Sequence, residues 1–407
     1  MTIKNNIPAG YKDSVAGVVP KDWKVYDFRD IASISKEKYT PSDSSCMPCV
    51  ELEHISQGDG VLLGSTEARL QKSTKNVFKK GCVLFGKLRP YLRKYLHVDF
   101  DGVCSSEIWV LSANENICSN EYLYRLVSSD KYIQCANVSI GSKMPRADWN
   151  FVSITPFPIP PIGEQRKIAE ILGIWDEAIE KQSRLIERLE VRKRALMQRL
   201  LTGRTRLPGF TTHWQKRRMK DCFEHITDTS NGCEYLPMTI SARLGLISQK
   251  DKFDRVIAGD SLKKYTHIQK GDFAYNKGNS NLYEMGCVYR LKEQDAVVPF
   301  VYICFRPKQN VIGEFYQHFF INHGLDRQLK RIITSGARGD GLLNVDKTDF
   351  FELEIVYPPI AEQKAIAEVL TTADDEIAIH RKTLDALRLQ KRGLMQQLLT
   401  GKTRVKI

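Results

Sequence analysis

The sequence predicts an α+β chain in which two mixed α/β domains are separated by two long helices that form an antiparallel coiled coil. Three observations predict it. A passage beginning "PPIGEQRKIAEIL" at Pro160 returns as "PPIAEQKAIAEVL" at Pro358, and the two copies stay in ungapped step to Arg206 and Arg404. Within each copy, apolar residues recur at spacings of four and three, the stripe of a coiled-coil seam. Outside the copies, short β-forming runs alternate with glycine- and amide-rich loops, with few amphipathic helices between them. The chain therefore divides into a first mixed domain (1–159), a central repeat helix (160–206), a second mixed domain (207–357) and a C-terminal repeat helix (358–407).

The 407 residues suffice for two or three units of ordinary size, each able to bury a core. With 42% hydrophobic and 27% charged residues the composition is that of a soluble globular protein, and no apolar run reaches the ~18 residues of a membrane span. The opening MTIKNNIPAGYKD has no apolar stretch behind it and does not read as a secretory signal, so a cytoplasmic location is expected. A formal charge of +13 implies attraction to a polyanion, nucleic acid first, although a generically basic surface gives the same total.

The first block opens with Pro20-Lys-Asp-Trp23, continues with a strand-like segment led by Lys-Gly, "KKGCVLFGKLRPYLRKY" from Lys79, and closes with "SIGSKMPRADWNFVSITPFPIPP". It holds Cys46-Met-Pro-Cys49, the one pair among ten cysteines with zinc or redox spacing. No second such pair completes a four-ligand site, and scattered cysteines in a long chain read as reduced packing residues.

The central repeat carries the seam Ile168, Leu172, Trp175, Ile179, Gln182, Ile186, Leu189, Lys193, Leu196 and Leu200. The C-terminal repeat matches it with Ile366, Leu370, Ala373, Ile377, His380, Leu384, Leu387, Lys391, Leu394 and Leu398. Both break at the same polar places, which suits register-fixing positions. Each helix follows a double proline, places Glu164 or Glu362 in its first turn, where the dipole favours an anion, and closes at Gly203 or Gly401. About forty residues at ~1.5 Å each make a rod of roughly 60 Å, longer than the ~34 Å of one DNA turn, so a spacer is one reading and simple dimerisation the other.

The second block repeats the landmarks of the first in order. Pro208 and Trp214 open it, "QKGDFAYNKGNSNLYEMGCVYRL" follows from Gln269, and "ITSGARGDGLLNVDKTDFFELEIVYPP" ends it.

No catalytic centre stands out. The Ile-Pro-Pro-Ile and Tyr-Pro-Pro-Ile turns lack the polar first and aromatic last residues of an amino-methyltransferase turn, and no glycine-rich turn suits a nucleoside cofactor. Gly401-Lys402-Thr403 ends a helix and has Gln396 where a phosphate loop needs glycine. The acidic run from Asp176 to Lys181 lies on the predicted coiled coil and reads as a solvated face. Gly336, Gly339 and Gly341 form either a phosphate cradle or a connecting turn. What remains is basic and amide residues interleaved with aromatics in loops: Lys87, Arg89, Tyr91, Arg93 and Lys94 in the first block, and Asn276, Lys277 and Asn279 in the second, with Lys143, Arg146 and Arg338 in the glycine turns. Lys and Arg suit phosphates, and Arg and Asn can pair with base edges, so these are the candidate DNA-binding residues.

Two divergent domains alternating with near-identical helices, opened by "PPI.EQ..IAE.L" and closed by "LMQ.LLTG.TR", resemble the specificity subunit of type I restriction-modification systems. The resemblance implies that the blocks are target recognition domains reading the halves of a split, asymmetric DNA sequence at a separation the helices set. It implies a non-catalytic chain on which two modification subunits dock, with ATP-dependent restriction subunits joining them. S-adenosylmethionine, ATP and magnesium are then expected on the partner subunits and no cofactor or metal on this chain. Two alternatives differ in kind: a stand-alone restriction-methylation enzyme, and a coiled-coil scaffold without DNA binding.

Overall fold

The computed structural model describes residues 7–41, 46–138, 144–229, 235–253, 259–278, 282–333 and 343–406. The chain divides into two units, Met1–Ser183 with Lys382–Ile407, and Arg184–Arg381. This division cuts both long helices. The central helix, Ile162–Leu200, begins in the first unit and ends in the second, whereas the C-terminal helix, Ile360–Leu399, does the reverse.

In the first unit β1 (Tyr11–Lys12) pairs with β2 (Val19–Pro20). There follow β3 (Lys24–Asp27), β4 (Ala32–Ile34), β5 (Lys38–Tyr39), β6 (Pro48–Val50), β7 (Thr66–Glu67), β8 (Lys75–Phe78), β9 (Val83–Gly86), β10 (Tyr95–His97), β11 (Gly102–Cys104), β12 (Ile108–Ala113) and β13 (Pro156–Ile159). They make an antiparallel sheet of order β10-β9-β12-β4, a mixed sheet β5-β8-β11-β6-β7 in which β6 and β11 run parallel, and the pair β13-β3. Gly81 of the Lys-Gly landmark has φ +88°, a conformation glycine adopts without strain, and its N–H reaches the Val98 carbonyl at 2.7 Å. The turn it forms aims the chain into β9. Helices Asn120–Ser128 and Asp130–Ala136 are capped by the hydroxyls of Ser119 and Ser129, which accept from the N–H groups of Tyr122 and Tyr132. Trp23, Phe28, Phe85, Tyr122 and Tyr132 pack the core, which Ile168 and Leu172 of the central helix and Leu398 and Leu399 of the C-terminal helix complete.

The second unit contains β14 (Gln215–Arg218), β15 (Phe223–His225), β16 (Leu236–Ser241), β17 (Gly245–Ser248), β18 (Thr266–Ile268), β19 (Phe273–Asn276), β20 (Cys287–Arg290), β21 (Ala296–Val298), β22 (Ile303–Pro307) and β23 (Glu354–Tyr357). Its sheets are β15-β22-β19-β20, β17-β16-β21-β18 and β14-β23, with β16 and β21 parallel. This is the plan of the first unit, with no counterpart of β1, β2 or β5 among the described residues. Gly271 repeats the Lys-Gly turn, with φ +101° and its N–H on the Leu291 carbonyl at 2.9 Å. The core is aromatic: Phe273 and Phe305 stack at 5.4 Å, and Phe223 meets Phe305 edge-on at 5.1 Å. Met197 and Leu200 enter it from the central helix and Ile366 and Leu370 from the C-terminal helix.

Every seam residue named above is buried or half-buried. In the second unit Glu190 pairs with Arg381, Arg192 with Glu376 and Lys193 with Asp374, so residue numbers rise on one helix as they fall on the other. In the first unit Lys391 pairs with Asp176, which also meets Arg125. Asp176 is therefore not on a solvated face. It is turned toward helix Asn120–Ser128, whereas its neighbours Glu177 and Lys181 pair along the surface, at 3.3 Å.

Candidate nucleic-acid interface

Each unit is built around a buried carboxylate. Glu164, fully buried, accepts the indole N–H of Trp23 at 2.9 Å and the Arg404 guanidinium at 2.8 and 2.9 Å. Glu362, equally buried, accepts the Trp214 indole at 2.8 Å and two bonds from Arg206 at 2.6 Å. A carboxylate out of water needs such partners, so the role expected for Glu164 and Glu362, a favourable charge in the helix dipole, is the lesser part of what they do. The next residue ties the helix to the mixed domain of its unit. Gln165 accepts the Ser119 N–H at 3.0 Å and donates to the Ile117 and Pro160 carbonyls. Gln363 accepts the Ile312 N–H at 3.0 Å and donates to the Pro358 carbonyl. The opening Trp, the "EQ" and the closing "TR" of the sequence landmarks thus converge on one anchor in each unit.

On this support the first unit presents a pair of loops. β9 delivers Lys87, whose carbonyl accepts the Ala147 N–H at 2.8 Å, while the Arg89 N–H reaches the Pro145 carbonyl at 2.8 Å and Leu88 bridges Arg146. Lys87, Arg89 and Arg146 are thereby brought together although Arg146 is far along the chain. Arg89 and Arg93 both have φ +52°, flanking a 3-10 turn at Pro90–Leu92. The left-handed region is uncommon for such residues and costs roughly 1 kcal/mol or more, a strain that marks functional loops. Arg89 and Tyr91 are exposed, and among the described residues the Lys87 and Arg89 side chains have no hydrogen-bond or ion-pair partner. Arg146 holds Glu107 at 3.0 Å. Arg93 and Lys94 turn inward: Arg93 pairs with Asp130, and the Lys94 ammonium donates to the Leu52 carbonyl, where burial lowers its pKa.

The second unit repeats the arrangement. Lys277, directly after β19 as Lys87 is after β9, accepts the Leu343 N–H on its carbonyl at 2.9 Å. The Asn276 side chain accepts the Gly278 N–H at 3.0 Å, closing a tight turn. Lys143, Asn279 and Arg338 lie outside the described residues, as do the three glycines near Arg338. Sequence reasoning missed Arg243 and Leu244, exposed at the tip of the β16/β17 hairpin. Its signal was the Gly245 that follows, at φ +80°.

Cys46 is exposed and Cys49 buried. Burial pushes the Cys49 thiol up to about 11, with Glu51 adding to the effect, so it is not poised as a thiolate ligand or nucleophile. Among the described residues no group of three His, Cys, Asp or Glu could hold a metal ion, and no helix is long and apolar enough to cross a membrane.

A sequence model described as "Type I restriction modification DNA specificity domain" matches residues 20–191 and 256–389. The chain is 24% identical, over 97% of both chains, to the putative type I restriction enzyme MjaX specificity subunit of Methanocaldococcus jannaschii. It is 30% identical to the type I restriction enzyme HindI specificity subunit of Haemophilus influenzae, over 43% of this chain and 40% of that one. Among solved structures, one from work on complex assembly and conformational transition of the type I R-M system covers 95% of this chain and 99% of its own, with a TM-score of 0.61 at 19% identity. The type I restriction-modification S subunit of M. genitalium gives 0.55 at 13% identity over 98% of each chain. At these identities the structural likeness speaks for the fold.

Proposed function

Since the chain belongs to the type I restriction-modification DNA specificity family and is a non-catalytic DNA-recognition subunit, we propose that its two units read the two halves of a split, asymmetric DNA site. The observation that carries this reading is the loop pair found in both units, Lys87 with Ala147 and Lys277 with Leu343, on the same strand order but with different side chains. Equal scaffolds with unequal loops suit two different half-sites. Lys87, Arg89, Tyr91 and Arg146 form the first reading surface, and Asn276 and Lys277 the second; Lys143, Asn279 and Arg338, outside the described residues, remain candidates from the sequence. Arg93 and Lys94 support the first loop from behind.

In this proposal the long helices pair as an antiparallel coiled coil that sets the distance between half-sites. Their repeated outer surfaces offer near-equivalent docking sites to two modification subunits, which restriction subunits join. S-adenosylmethionine, ATP and magnesium belong to those partners, and the assembly works in the cytoplasm. The test maps methylated adenines in DNA exposed to the complex assembled with its modification subunits, comparing the wild-type chain with one whose residues 207–357 come from a related subunit. One half-site changes and the other stays. Change in both halves, or methylation by the purified chain alone, overturns the proposal.

A further inference from the structure

Glu107 lies in the turn between β11 and β12, beside the reading loops but on neither of them. Its carbonyl accepts the Lys87 N–H at 2.9 Å. Its carboxylate accepts from Arg146 Nε at 3.0 Å and from Nη2 at 3.4 Å. We propose that Glu107 is a positioning residue that fixes Arg146 as a reader of base edges in the first half-site, a role that rests on the loop pair being a DNA surface.

The backbone here does not need the carboxylate. The bonds from Arg89 to Pro145 and from Ala147 to Lys87 already set the register of the two loops. What the carboxylate constrains is the long Arg146 side chain, half exposed and otherwise free to rotate. A guanidinium has five N–H donors, and Glu107 occupies two along one side. Three remain at the far end, a fork that suits the O6 and N7 acceptors of guanine in the major groove. Charge supports the same division of labour. Paired with a carboxylate, Arg146 carries little net charge and gains little from a phosphate, whereas Lys87 and Arg89 keep theirs uncompensated among the described residues. Glu107 thus separates a base reader from two phosphate anchors within one loop pair.

The test uses the full chain assembled with its modification subunits, the isosteric Glu107→Gln variant, and duplexes with and without the site mapped from wild-type methylation. Glu107→Gln is expected to bind the unrelated duplex more tightly, with a log–log salt slope steeper by about 0.9 as Arg146 swings to a phosphate. The ratio of site to unrelated binding is expected to fall roughly tenfold, the share of one bidentate base contact. Arg146→Lys, which keeps the charge but not the fork, loses the same ratio. An unchanged ratio in Glu107→Gln overturns the inference, as does a parallel fall of both affinities with thermal stability, the mark of a merely structural role. Arg146→Ala separates this failure from that of the underlying reading. If it weakens only site binding while Glu107→Gln changes nothing, the inference alone fails, whereas if it changes neither duplex, the loop pair is not the DNA surface.

Discussion

Arg404 donates from Nε and Nη2 to the two carboxylate oxygens of Glu164, at 2.8 and 2.9 Å, across 240 residues of chain. Arg206 and Glu362 repeat the pair in the second unit across 156 residues. In both, an indole N–H supplies a further donor, and the guanidinium lies over the same indole ring, 5.9 Å from Trp23 and 5.4 Å from Trp214.

Arg404→Ala is expected to destabilise the first unit by about 2–3 kcal/mol. Breaking a buried pair costs about 3–5 kcal/mol because it strands the partner charge, and the lower figure reflects Arg404 being 39% exposed, so that water replaces part of the loss. Arg206→Ala is expected to do the same to the second unit, where Arg206 is 25% exposed. Urea denaturation of both variants checks this, and an unchanged midpoint refutes it.

Acid should weaken the second unit through His318. This residue takes the place that Arg125 holds in the first unit, facing Asp374 at 3.8 Å with Lys193 nearby and Thr371 at 3.4 Å. Burial lowers its pKa to about 4, against the opposing pull of Asp374. The folded form therefore favours neutral imidazole. The stabilisation is complete above the unfolded value of about 6.5 and is lost as pH falls from there through about 4, on the order of 3 kcal/mol. A His318→Phe variant should show a flatter stability profile between pH 7 and 4, and an equally steep one sinks the assignment.

Salt dependence of DNA binding separates the basic residues of the first loop. Lys87→Ala and Arg89→Ala are each expected to reduce the log–log slope by about 0.9, one phosphate contact apiece. Lys94→Ala is expected to leave the slope alone and lower stability instead, since its ammonium serves the Leu52 carbonyl. Equal slopes across all three variants would remove the distinction.

The proposed spacer predicts a length effect. Inserting one heptad after Ser183 and another after Arg381, the places where the two units divide, adds about 10 Å to each helix. The spacing between half-sites is expected to grow by about three base pairs while the bases read stay the same. Methylation mapping decides it, and altered half-sites count against a spacer.

The helices were the most legible part of the chain, because a four-and-three stripe written twice has few other meanings, and its residues are buried or half-buried. The Lys-Gly landmarks were legible for a local reason: Gly81 and Gly271 stand where φ is positive. What escaped was long-range pairing. Nothing near Glu164 announces that its partner is Arg404, and nothing near Asp176 points to Lys391, since both meetings need the chain to return from its far end. The left-handed Arg89 and Arg93 were illegible for the opposite reason, because local preference argues against them and only the surrounding loops hold them there.

The first unit is assembled from two segments, up to Ser183 and from Lys382 onward, which a ribosome makes far apart in time. At 5–20 residues per second, Glu164 is in place about 10–50 s before Arg404 exists. The second unit is contiguous from Arg184 to Arg381 and lacks nothing once that stretch has emerged. Closure of the first core thus waits on residues made after the second unit is whole, and a ribosome that stops at Arg381 leaves the first unit, and not its neighbour, without Met395, Leu398 and Leu399 in its core.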